Sequence, residues 1–196
     1  MSTGDRYGSA RTSQLPFCGI PFRLDSYSAC QFGCRYCFAS ARGGASGSSQ
    51  VVGANPESLQ RRFDRIASKG AQSALDEMLV ARIPLHFGGM SDPFTPIEAT
   101  RGVTLSLLRI LADRNYPVIL STKGTLATKD QCLAVLKRGK FAVQYSFSSL
   151  DDRAARLIEP GVRSPVERLD ALRILASEGV PTSILLQPCL PTRELD

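Results

Sequence analysis

Three cysteines, Cys30, Cys34 and Cys37, fall within the stretch ACQFGCRYC, with three residues in the first gap and two in the second. Thiols this close together can pair as disulfides, exchange electrons or hold metal. A thioredoxin-like redox pair needs only Cys34 and Cys37 and leaves Cys30 unexplained. A structural zinc site closes with four ligands, and the nearest fourth thiol, Cys18, precedes Cys30 by an unusually long gap for such a site. An iron–sulfur cluster accounts for the number three. A [4Fe–4S] cubane has four irons, so three thiolates leave one iron open to a substrate or cofactor.

Composition bounds these alternatives. The chain has 196 residues, 43% hydrophobic and 21% charged, enough for one domain with a substantial core and unlike disordered or fibrous chains. The first fifteen residues, MSTGDRYGSARTSQL, lack the apolar core of a secretory signal. No run approaches the roughly 18 apolar residues of a membrane span. The sequence therefore predicts a cytoplasmic protein without membrane attachment, and a reducing compartment favours thiols as ligands over disulfides. The net charge of +6 permits a nucleic-acid partner. Arg61, Arg62, Arg65 and Lys69 can form one basic helical face, and Lys137, Arg138 and Lys140 another. Such runs are also what solvated faces look like, and no aromatics interleave with them as in a stacking platform.

The thiols must be positioned by the elements around them. Residues 1–15 and ARGGASGSSQVVGANP (41–56) read as a flexible terminus and a long loop. Strands are predicted at about 17–24, in IPLHF (83–87), YPVILST, FAVQYSF and PTSILLQP. A helix or helix pair covers about 57–82. A single helix over 95–115 is predicted to start with a capping box of Thr95 and Glu98, with Pro96 at its first position. A further helix carries the box Thr128 and Gln131 and stops at Gly139; the last carries Ser164 and Glu167 and stops at Gly179. Alternation of strands and helices implies parallel βαβ units in an α/β fold. In such barrels chemistry gathers at the C-terminal ends of the strands, where the cysteine loop falls.

The stretch Cys30–Cys34–Cys37, with Tyr36 as the aromatic before the last cysteine, resembles the signature of the radical S-adenosylmethionine (SAM) superfamily. GGMSDPFTPIE, STKG, YSFSS and IEPG, in that order, resemble the branch of spore photoproduct lyase and its DNA repair photolyase-like relatives. The resemblance implies a partial parallel (β/α)6 barrel, here lacking a sixth strand and apparently truncated after about five, with residues 16–196 as the radical SAM core domain. It implies a [4Fe–4S] cluster on Cys30, Cys34 and Cys37, SAM on the open iron, and a 5′-deoxyadenosyl radical that abstracts hydrogen from a substrate. It also implies a reductant such as flavodoxin or ferredoxin.

Further roles follow from the same resemblance. Tyr36 lies near the adenine or is a core aromatic between two ligands, and the two roles can coexist. Gly88 and Gly89 bring the backbone close to the SAM amino group, although a Gly-Gly pair alone also makes an ordinary tight turn. Met90 stands where the family carries an acid, so that contact falls to the backbone, Ser91 or Asp92; Asp92 alone can also cap a turn before Pro93. Lys123 pairs with the SAM carboxylate or is a solvated lysine. Ser146 hydrogen-bonds SAM or its own backbone. IEPG reads as a helix stop. Lyases of the branch carry a hydrogen-donating cysteine after the second strand, where this chain has Gly88, Gly89 and Met90, so photoproduct repair is not expected to be efficient. Cys189 is either a substitute donor near the barrel mouth or a packed hydrophobe. Cys18 and Cys132 read as structural, and His86 as packed. The alternative from another class is a non-enzymatic zinc or iron–sulfur binding module, associated with nucleic acid.

Overall fold

The computed structural model describes residues 11–12, 20, 22–42, 45–47 and 50–189. Its elements, in chain order, begin with strands β1 (Arg11–Thr12), β2 (Phe22–Leu24), β3 (Ala29–Cys30) and β4 (Ala45–Ser46). They continue with α1 (Pro56–Lys69), α2 (Ala74–Val80), β5 (Leu85–Phe87), α3 (Glu98–Arg101), α4 (Val103–Asp113) and β6 (Val118–Thr122). The last are α5 (Asp130–Arg138), β7 (Phe141–Phe147), α6 (Asp152–Ile158), α7 (Pro165–Ser177) and β8 (Thr182–Leu186). The main sheet has the order β1-β2-β5-β6-β7-β8, in which β2 to β8 are parallel and only β1 is antiparallel. Five parallel strands with helices between them are the α/β architecture the sequence predicts and are consistent with the partial barrel expected. Residues 11–12, within the segment read as flexible, add a short strand against β2.

Each strand places alternate residues on opposite faces. Along β6, Val118 and Leu120 are buried in the core and Thr122 is buried at the strand's end beside the cavity, whereas Ile119 and Ser121 are half-buried on the other face. The same alternation puts Phe22, Leu85, Val143 and Tyr145 in the core beneath α1, α4 and α5. On β8 the helix-side residues Ile184 and Leu186 are 51% and 57% exposed, while Leu185 turns inward. No described helix is long and apolar enough to cross a membrane.

Two predicted starts differ. The helix expected over 95–115 is two helices, broken at Gly102, whose φ of +60° suits glycine. Glu98 does not close a box with the side chain of Thr95. Its carboxylate reaches forward instead, accepting the amides of Thr104 and Leu105, both at 2.9 Å, and the hydroxyl of Tyr27. It thus caps α4, which has no side-chain N-cap of its own. Likewise α5 begins after a short 3-10 turn at Leu126–Thr128, and Thr128 donates to Thr125 rather than capping the helix. The Ser164–Glu167 box of α7 forms as predicted.

The loop read as loose over 41–56 is tied down in its described part. β4 pairs with β3, Ser28 N donates to Val52 O at 2.9 Å, and Gly47 N donates to Cys30 O at 2.7 Å. Glu98 holds the other end of this layer through Tyr27. Glu98→Ala strands three donors in a buried setting and is expected to destabilise the fold by about 2–4 kcal/mol, with Glu98→Gln costing less. Urea unfolding measures both; a loss below about 1 kcal/mol for Glu98→Ala would show that water serves these donors equally well.

Candidate functional site

The C-terminal ends of the five parallel strands open into a cavity of about 370 Å³, within the range of small-molecule and cofactor sites. Cys30, Cys34 and Cys37 form one wall. Gly88 to Asp92, following β5, form another, with Lys123 after β6 and Ser146 near the end of β7 opposite. Gln187 and Pro188 close the side beyond β8. The structure thus brings together all ten residues predicted around the cysteine motif, apart from the outlying Cys189. Burial pushes the Cys30 thiol up to about 12, with the nearby Asp92 adding to it. Burial likewise pushes Cys34 up to about 11, against the pull of Lys123. Both thiols are therefore neutral until a metal displaces their protons. Among the described residues no three His, Cys, Asp or Glu side chains converge to share one metal ion. A cubane takes its three thiolates on three separate irons, so its ligands line a cavity rather than meet at a point.

The Gly-Gly segment is demanded by geometry. Gly88 has φ +91°, and a Cβ there would lie 2.6 Å from Ser121 O. Its neighbours are held from two sides. Asp25 accepts the amides of Met90 at 2.7 Å and Ser91 at 3.2 Å and pairs with Arg23 at 2.8 Å. Ser91 is buried and donates to Tyr27 O at 2.7 Å. Asp92 accepts from Thr122 Oγ1 at 2.8 Å, Lys123 N at 2.6 Å and Phe94 N at 2.9 Å. Burial raises the Asp92 carboxyl above the usual carboxylate range despite these donors. Asp92 therefore locks the loop after β5 to the end of β6, which is more than the turn cap read from the sequence.

Behind the cysteine loop, outside the lining of the cavity, the IEPG segment is a helix stop, as predicted, but it also brings in a buried acid. Glu159 is 1% exposed and accepts from Arg168 at 2.8 Å and from the hydroxyl of Tyr36. Lys123 Nζ lies 4.0 Å from Glu159 and 5.7 Å from the centre of the Tyr36 ring. Burial, then the Glu159 carboxylate, push the Tyr36 phenol far up, so it remains a donor. Arg168, fully buried, also donates to Ser146 O at 2.9 Å.

Asp25, Glu159 and Arg168 were not singled out from sequence. The signal for Arg168 was its place in a buried helical stripe with Pro165, Ala171 and Leu175. His86 lines the cavity instead of lying in the core; its Nε2 is 2.8 Å from Ser121 Oγ, which donates to Gln144 at 3.2 Å. Cys132 is a core residue, and burial pushes its thiol up to about 11. Cys189 is exposed and does not line the cavity, although Pro188 does. Cys18 lies outside the described residues. The basic faces are largely paired: Arg62 and Arg65 meet Asp76, Lys137 meets Glu178, and Arg138 meets Asp113.

The radical SAM superfamily model matches residues 25–193, and the chain belongs to that superfamily. An uncharacterised protein of Methanocaldococcus jannaschii is 25% identical over 179 residues, covering 88% of this chain and 62% of its own length. A protein named radical SAM Nalpha-GlyT isomerase, from a Pseudomonas phage, is 24% identical over 164 residues, covering 83% of this chain and 32% of that protein. Among solved structures, spore photoproduct lyase complexed with dinucleoside spore photoproduct gives a TM-score of 0.67 at 19% identity, covering 96% of this chain and 51% of that one. At that identity the likeness is one of fold. The chain spans about half to three fifths of the length of the first curated relatives it matches. Nothing in the fold or these likenesses supports the non-enzymatic module.

Burial holds the His86 imidazole below its usual value near 6.5; Arg23 acts in the same sense and Asp25 opposes. The unfolded chain then binds a proton at His86 before the folded chain does. The stability this residue contributes is complete above about pH 6.5 and is lost as pH falls below it. Urea midpoints measured at about pH 7.5 and 5.5 are expected to fall less in His86→Gln than in the parent protein. An equal fall in both would show that His86 does not carry this dependence.

Proposed function

We propose that this chain is the catalytic core of an enzyme that cleaves SAM reductively at a [4Fe–4S] cluster and directs the resulting radical at a substrate. The observation that carries the reading is the gathering of Cys30, Cys34 and Cys37 on one wall of the cavity into which the glycine loop and Lys123 also open. When bound, the cluster and SAM supply an electron and a 5′-deoxyadenosyl radical. The residues present suit that pair: three thiols for three irons, and a cation and close backbone for an amino-acid headgroup. A spore photoproduct lyase structure of the same fold holds AdoMet, which supports the cofactor assignment.

In this reading the chain binds, orients and excludes water. Lys123 offers its ammonium to the SAM carboxylate as a point charge. Gly88 and Gly89 present backbone to the amino group. Ser91 and Asp92, whose side chains are engaged within the protein, shape that loop. Tyr36 and Ser146 border the adenosine side. Arg23, His86 and Ser121, lower on the interior face of the sheet, line the part of the cavity left for the substrate. The reductant is a flavodoxin- or ferredoxin-like donor, and the compartment is the cytoplasm.

The relatives' names include a lyase and an isomerase, so the fold does not fix the substrate. Return of hydrogen to a photoproduct radical needs a weak S–H bond, and Gly89 and Met90 offer none. Cys189 is the remaining donor candidate, one residue beyond the cavity wall. We therefore expect SAM cleavage with little repair of thymine photoproduct in DNA. Fast repair that survives Cys189→Ala would contradict the argument from the missing thiol.

Anaerobic reconstitution is expected to give a brown protein with about four irons and four sulfides per chain. Incubation with dithionite and SAM should release 5′-deoxyadenosine. Replacing Cys30, Cys34 or Cys37 singly by Ala should abolish both, and Cys132→Ala should affect neither. A colourless protein holding one zinc would overturn the proposal.

A further inference from the structure

The buried Glu159–Arg168 pair lies outside the cavity wall, and none of the roles above uses it. Both side chains are essentially without solvent, at 1% and 0% exposure. A buried pair of this kind contributes little net stability over an apolar pair of the same size, so its retention calls for another use. Its contacts indicate one. Arg168 sits under β7, its guanidinium 4.8 Å from the Phe147 ring centre, and it donates to the carbonyl of Ser146 and to Glu159. Glu159 takes the Tyr36 hydroxyl on its other oxygen, with Lys123 at 4.0 Å from that same oxygen.

The backbone around Glu159 grips the cysteine loop as well. Arg35 N donates to Ile158 O at 2.9 Å, and Gly161 N donates to Phe32 O at 3.0 Å. The approach at Gly161 is so close that a Cβ there would lie 2.6 Å from Phe32 O. The corner between α6 and α7 therefore clasps residues 32 to 36 from outside, on both sides of Cys34. The cysteine turn has little structure of its own: within it, Cys37 N donates to Cys34 O at 3.2 Å.

We propose that Glu159 is a positioning residue: fixed by Arg168, its carboxylate holds Tyr36 and thereby sets the Cys34–Cys37 turn and Lys123 against the cavity. This rests on the cluster and SAM roles assigned above. The carboxylate touches neither reacting group; it acts through Tyr36 and Lys123. The charge is useful because a single carboxylate can accept from a phenol and a guanidinium at once and attract the ammonium 4.0 Å away, which a neutral acceptor does less strongly.

Tyr36→Phe removes the one hydrogen bond while leaving the buried pair intact, so it tests the clasp without endangering the fold. In cluster-free protein, hydrogen exchange at the Arg35 amide is expected to accelerate about tenfold in Tyr36→Phe, with the β7 amides exchanging as before. Glu159→Gln, which keeps an acceptor for Tyr36, should protect that amide better than Glu159→Ala. In the reconstituted protein, Tyr36→Phe is expected to release iron to a chelator several-fold faster and to raise the KM for SAM more than it lowers kcat. Unchanged exchange at Arg35 overturns the proposal. So does an equal loss of protection at Arg35 and in β7, which would make the pair ordinary core. If the parent protein binds no iron, the cluster assignment fails, and the exchange result still judges the clasp separately.

Discussion

A loop that carries three thiols and little regular structure takes its shape from what packs against it. In this chain that constraint is met by buried and half-buried carboxylates. Glu159 receives the cysteine loop at Tyr36, and Asp92 ties the glycine loop to the end of β6. Asp25 receives the same glycine loop from below. Removing any of these strands two or more donors, so each holds its loop more firmly than a single neutral hydrogen bond would.

The sheet makes these contacts possible. Parallel strands in sequential order deliver all their C-terminal ends to one side, so loops far apart in sequence meet there. Tyr36 and Glu159 are 123 positions apart, and Asp92 and Lys123 are 31 apart, yet both pairs touch. The helix face of the sheet is filled by large apolar residues such as Phe87, Leu120 and Tyr145. The interior face is instead lined at β2, β5 and β6 by Arg23, His86 and Ser121. A barrel interior filled only with branched apolar chains would leave no room or chemistry for ligands.

Much of this was legible in the sequence. The period-two strands, the Ser164–Glu167 box and the cysteine spacing are local signals, because the residues that create each feature are also the ones that carry it. The break at Gly102 was not legible. Thr95, Pro96 and Glu98 fit a helix start by type, whereas Glu98 is claimed by Tyr27, 71 positions away, and by the amides of α4. Glu159 and Arg168 were hidden for a related reason. An acid at a helix stop and an arginine on a helix look like surface residues until the fold buries both and pairs them. Asp25 likewise shows no pattern until the glycine loop arrives beside it.

The central claim is that three thiolates leave one iron open and that SAM takes it. Mössbauer spectroscopy of protein reconstituted with iron-57, before and after adding SAM, addresses this directly. If the claim is right, one iron of the four changes its isomer shift when SAM is added and the other three do not. Four irons that stay equivalent with SAM present, or no cluster signal at all, would contradict it.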